Sequence, residues 1–235
     1  MKEKIKISHI ISLGCNCHTS MFLKNCGFKK YSCPFDWISI KFKDVVNILN
    51  SNFDTFINPE FLIDHADKNN MRCGHALYGS HMFHHFNPRT PQHKAYYERC
   101  IQRFKNLKNL PNDEIVLFIY NEFYEPQFNS DDILSLRNLL QLYRGNDRFV
   151  LLIIKNTCNY DKTSTLTTSE YKVDYQLESL LVLNCKLVGH TTGVGFSNHI
   201  DHVCSYNLLT SIFNIHIKET QKEDYLEKTA YDISL

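Results

Sequence analysis

Three stretches of the chain, Ile5–Leu13, Glu114–Tyr120 and Phe149–Lys155, place apolar residues at successive rather than alternate positions. Runs this short and this rich in β-branched and aromatic residues read as strands covered on both faces, as in a parallel sheet. The strands near 6–13, 115–120 and 149–155 are therefore expected at the sheet centre, and Leu180–Val188 reads as a further strand. Between them the period changes to that of a helix. Phe42, Val45, Val46 and Leu49 form one stripe, Tyr97, Cys100, Ile101 and Phe104 a second, and Ile133, Leu136, Leu140 and Tyr143 a third. Ser39 is expected to cap the first helix. Thr90-Pro91 opens the second and Pro111 stops it, while Ser130, Asp131 and Asp132 open the third and Arg144-Gly145 closes it. A shorter helix runs from Cys17 to a stop at Gly27, and Val203–Ile217 is expected to be helical. Residues 54–92 show no period and hold five histidines, so short helices and loops are expected there. The alternation predicts a single α/β domain over 1–217, a mostly parallel sheet flanked by helices, with 218–235 a charged tail or peripheral helix.

Composition narrows the function. Lys and Arg total 26 against 25 Asp and Glu, a net charge of +1, so there is no surplus to hold a polyanion and no nucleic-acid partner is expected. No apolar run approaches the roughly 20 residues that cross a bilayer, and Met1-Lys2-Glu3-Lys4 opens no signal-peptide core. The expectation is a cytoplasmic protein without a membrane partner. Its nine cysteines are odd in number and dispersed, so they read as thiols rather than a disulfide framework.

Chemistry concentrates first in Ser12-Leu13-Gly14-Cys15-Asn16-Cys17-His18, which leaves a strand and enters a helix. Free N–H groups and the positive end of the helix dipole favour a thiolate there, so Cys17 is placed as an exposed, acidic nucleophile with an oxyanion site beside it. Equally, Cys15 and Cys17 can be small residues filling a tight turn. Asp36 in Pro34-Phe35-Asp36-Trp37 either orients a catalytic imidazole or accepts backbone N–H bonds in a turn, and His81, His84 and His85 are either a base or a polar loop. Cys-x-Cys-His is not a zinc spacing and no Cys-x-x-Cys occurs, so no metal and no cofactor are expected.

Ser12-Leu13-Gly14-x-Asn16-Cys17, Ser32-x-Pro34-Phe35-Asp36-Trp37, His84-x-Phe86 and Glu98-Arg99-x-x-x-Arg103-Phe104 together resemble a family of unknown function known as papain-like cysteine peptidases, over roughly residues 8–155. The resemblance implies a Cys/His hydrolase, with Cys17 as nucleophile, His84 as base, Asp36 as its orienting group, and papain-like α+β as the alternative fold. Asn16, Trp37, His85 and Arg103 are the candidate substrate contacts. The chain departs from the family pattern in carrying Cys15, and in placing His85 where an acidic residue usually follows the histidine.

The expected function is thus a peptidase-like or acyl-transfer hydrolase acting on an amide or ester, with a small molecule, glycan or peptide as substrate. Two alternatives stand beside it: a non-catalytic module holding a sugar or nucleotide at the strand ends, and a carbohydrate-modifying enzyme, glycosyltransferase-like or SGNH-esterase-like. For the esterase, His190, His199, Asp201 and His202 supply a late base for Ser12 or Cys17. Thr191–Phe196 lacks the spacing of a phosphate loop, and Arg99 and Arg103 either coat a helix face or hold an anion.

Overall fold

The computed structural model describes residues 4–67, 71–160 and 165–217; the expected tail at 218–235 lies outside the described residues. Its main sheet has five strands: β2 (His9–Ser12), β6 (Val116–Glu122), β7 (Phe149–Thr157), β9 (Leu180–Lys186) and β8 (Glu170–Leu177), in the order β2-β6-β7-β9-β8. All neighbours are parallel except the β8–β9 pair. The expected α/β architecture is the one observed.

The continuous apolar runs follow from cover on both faces. In β6, Val116, Phe118 and Tyr120 point into one core, while Leu117 and Ile119 point into the other. The first core is closed by α2 (Phe42–Asn50), α3 (Pro91–Lys105) and α4 (Ser130–Arg144). The second is closed by α1 (Cys17–Asn25), whose Phe22 and Leu23 are buried there, and by Leu209 of α5 (His199–Ile212). A separate antiparallel sheet, β3 (Leu62–Asp64), β4 (Cys73–His75) and β5 (Gly79–Phe83), packs on the first core.

Several expectations need correction. The run Ile5–Leu13 is split at Ser8: β1 (Ile5–Ile7) pairs in parallel with β10 (Phe213–Ile215), and only β2 joins the main sheet, at its edge rather than its centre. Apolar continuity records cover on both faces, which an edge strand can also have. The helix expected over Val203–Ile217 ends at Ile212, where β10 is drawn off by its pairing with β1. Residues 54–92 contain three strands that are too short to show a period. Ser39 caps nothing, because α2 starts later, after Lys41, and the Ser39 N–H bonds the Met82 carbonyl instead. β8 was unforeseen; most of its residues are exposed, so no apolar signal marks it.

The last turn of α4 carries a side chain that fixes the approach to β6. Arg144 is fully buried and donates to the carbonyls of Leu107, Leu110, Pro111 and Glu114 at 2.8–3.3 Å. Arg144→Met is expected to lower unfolding free energy by roughly 2–4 kcal/mol in urea titration, since four carbonyls lose a charged donor. An unchanged midpoint would show that water replaces the guanidinium freely.

His75, also fully buried, uses both ring nitrogens in its neutral form, with Nε2 2.9 Å from the Thr55 carbonyl and Nδ1 accepting from the Leu77 N–H at 3.2 Å. Burial lowers its pKa, and the Thr55 carbonyl only partly opposes this. The unfolded chain therefore takes up the proton first. Its stabilising contribution is complete above about pH 6.5 and is lost progressively on acidification below that value. Urea midpoints measured between pH 7.5 and 5 should fall, and fall less steeply in His75→Gln; equal slopes would exclude His75 as the source.

Candidate functional site

The strand-to-helix turn is built by two consecutive residues in the left-handed region, Gly14 at φ 97° and Cys15 at φ 39°. A Cβ on Gly14 would lie 2.6 Å from the Ile40 side chain, so only glycine fits. The turn delivers Asn16 as the cap of α1, with its Oδ1 accepting the His18 N–H at 3.0 Å, and Cys17 as the first helical residue. The Nδ2 of Asn16 is buried and has no partner.

The histidines arrive from the antiparallel sheet. β5 ends at Phe83, and the next two residues reach back over α1, so that Nε2 of His84 and Nε2 of His85 each lie 3.1 Å from the Cys17 Sγ. The expected approach of an imidazole to Cys17 is thus present twice. His81 turns away, 61% exposed, toward Asp67. The Trp37 ring stands edge-on to His85, with centroids 6.4 Å apart.

The connection between the two halves is short. The Ile40 N–H donates to the Cys15 carbonyl and the Ser39 N–H to the Met82 carbonyl, at 2.9 and 3.0 Å. Residues 39–40 therefore tie the thiol's turn to the histidines' strand.

Asp36 does not orient the ring of His84. Its carboxylate, fully buried, takes the Lys29 ammonium at 2.6 Å, the Ser20 hydroxyl at 2.7 Å and the Cys33 N–H at 2.5 Å. It holds the Pro34–Trp37 turn against α1, the turn role weighed for it from the sequence. For His84 it is the nearby backbone of His81 and Met82 that favours the protonated ring, against the larger effect of burial. Arg103 likewise points elsewhere, donating to the Ser32 carbonyl at 3.4 Å.

Electrostatics also corrects the expectation of an exposed, acidic thiol. Cys17 is 1% exposed, and burial, followed by the Asp36 charge, pushes its thiol up to about 12. Burial also lowers both imidazoles, with His85 reaching about 4 under the added influence of His84. In this arrangement the resting centre holds a neutral thiol between two neutral rings.

The remaining candidates separate. The Cys15 Sγ is 3.5 Å from the buried Glu122 carboxylate, on the wall of a cavity of about 380 Å³ that Tyr120, Met82 and Phe128 also line. Cys17, His84 and His85 do not line that cavity. His18 stacks on Phe123, meets Phe196 edge-on and is bonded to Thr191, and the Asp201 carboxylate receives Ser169 and the N–H groups of Val188 and Gly189. Neither assembles a second triad. Sequence reasoning missed Glu122, which lies in an apolar strand where only its charge marks it, and Lys29.

The Asp36–Lys29 pair yields a direct test. Asp36→Ala leaves a buried ammonium without its partner and should cost about 3–5 kcal/mol in denaturant unfolding, whereas Asp36→Asn combined with Lys29→Met should recover much of that loss. If Asp36→Ala unfolds with the wild type, the pair is not what holds the turn.

Comparison with curated proteins and with solved structures returns no match. The family described as "Putative papain-like cysteine peptidase" matches residues 8–156. That segment contains Cys17, Asp36, His84 and His85, and the chain belongs to this family.

Proposed function

We propose that this protein is a cysteine hydrolase or acyl-transfer enzyme acting on an amide or ester, with Cys17 as nucleophile and His84 as general base. The observation that carries the reading is the 3.1 Å contact between Cys17 Sγ and His84 Nε2 at the first turn of a helix. Family membership adds to it. Because thiol and imidazole are both neutral at rest, the proton moves from sulfur to Nε2 as the sulfur attacks, rather than beforehand. The backbone of His81 and Met82 then favours the imidazolium, in the role expected of Asp36. The oxyanion is met by first-turn N–H groups and the unpartnered Nδ2 of Asn16. His84 then returns the proton to the leaving group.

One observation favours a second reading, a binding module. The 380 Å³ cavity beyond the ends of β2 and β6 carries Cys15 and Glu122 but not Cys17, so it can hold a sugar- or nucleotide-sized ligand without any chemistry at Cys17. Among the described residues no helix is long and apolar enough to cross a membrane.

Hydrolysis of a p-nitrophenyl ester and of a peptidyl-coumarin amide tests the first reading. Cys17→Ala and His84→Ala are each expected to lower turnover by roughly 10³-fold or more, with melting temperature nearly kept in Cys17→Ser. Asn16→Ala should lower kcat about 10²-fold. Turnover that persists in Cys17→Ala would remove Cys17 as the nucleophile, whereas no turnover in the wild type would leave the binding module.

A further inference from the structure

Two imidazoles on one sulfur are more than proton transfer needs. A thiol has one proton and one base takes it, yet His84 and His85 both present Nε2 to Cys17 Sγ at 3.1 Å, and the three atoms lie within 4.8 Å of one another. One sulfur and two imidazole nitrogens form the donor set of a borderline-soft divalent cation. The spacing is close to what such an ion requires. Tetrahedral zinc with bonds of about 2.3 Å to sulfur and 2.0–2.1 Å to nitrogen sets sulfur and nitrogen about 3.5 Å apart, so each Nε2 stands within a few tenths of an ångström of the sulfur–nitrogen spacing the ion requires. Both rings are half-buried, which gives an ion a route to the buried sulfur.

We propose that Cys17, His84 and His85 form a site for a soft divalent cation, Zn²⁺ foremost, whose occupancy switches the hydrolase off. The switch rests on the hydrolase reading above; the site itself does not. On binding, the Cys17 S–H bond breaks, its proton passes to solvent, a sulfur–metal bond forms and both imidazoles donate lone pairs. No electron is transferred, and a chelator reverses the step. The bound sulfur, its negative charge drawn to the cation, is then a much weaker nucleophile, and His84 Nε2 has no lone pair left to take a proton. In a second group, His65, Asp67 and His81, the carboxylate is already paired, Asp67 with Arg72 at 2.8 Å. That group serves as the control.

The full chain, stripped with a chelator, is titrated with Zn²⁺ alone in competition with a chromophoric chelator, and with Co²⁺ to read the thiolate-to-cobalt absorption band. One equivalent is expected to bind. Cys17→Ser should abolish the cobalt band and weaken Zn²⁺ at least about 100-fold, and His84→Ala and His85→Ala should each weaken it about 10- to 100-fold. His81→Ala should leave the affinity unchanged. No Zn²⁺ binding in the wild type, or equal affinity in Cys17→Ser, overturns the site. Ester hydrolysis separates the two ideas: activity in the stripped protein that one equivalent of Zn²⁺ fails to suppress overturns the switch and leaves the hydrolase standing. Zn²⁺ binding without hydrolysis in any form overturns the hydrolase and the switch, and leaves the cation site.

Discussion

Asp36 is fully buried, and a carboxylate removed from water must have its charge answered from within the protein. Lys29, Ser20 and the Cys33 N–H answer it from three directions: the segment after α1, α1 itself, and the start of its own turn. Because Ser20 lies one turn beyond Cys17, the same contacts fix the helix that carries the thiol. The lysine has no better place to go, since its own side chain is only 4% exposed. The pair therefore contributes specificity of arrangement more than net stability, as buried pairs often do when hydrophobic replacements are compared.

From this anchor the site is assembled by backbone rather than by side chains. Leaving the Asp36 turn, the chain places Ile40 against Cys15 and Ser39 against Met82, so one short strap registers the turn from β2 with the end of β5. Gly14 is required by the same closeness, because the Ile40 side chain occupies the space a Cβ would need. His84 and His85 come from a small antiparallel sheet distant in sequence from Cys17, and they reach its sulfur only because residues 39–40 span the gap.

Much of this architecture is visible in the sequence where one physical signal dominates. β6 and β7 are covered on both faces, so their apolar runs mark them, and α4 announces itself through the acidic first turn at Asp131 and Asp132 and the left-handed stop at Gly145, while its capping residue is Asn129. The strands β3, β4 and β5 are too short for any period, and β8 is too exposed for an apolar one. Cys17 and His84 are legible as residue types beside a helix start and in a histidine-rich segment. The partner of Asp36 is not, because its charge is answered by Lys29, and no local pattern links positions 29 and 36. Nor does spacing reveal that His85 converges with His84, since adjacent residues in extended chain ordinarily point to opposite sides.

That convergence decides how the centre must behave. In papain-like chemistry a thiolate–imidazolium pair held ready needs a solvent-facing or otherwise charge-stabilised thiol. Here burial and the Asp36 carboxylate both disfavour a negative sulfur, and burial disfavours positive rings. Charge separation is thus uphill until something else enters the site and changes its electrostatics. A substrate carbonyl can do so by accepting the sulfur's electrons as the proton leaves, and a divalent cation can do so by supplying the positive charge itself. The same neutral, desolvated arrangement that keeps the thiol quiet at rest therefore makes its reactivity conditional on what occupies the space beside Cys17.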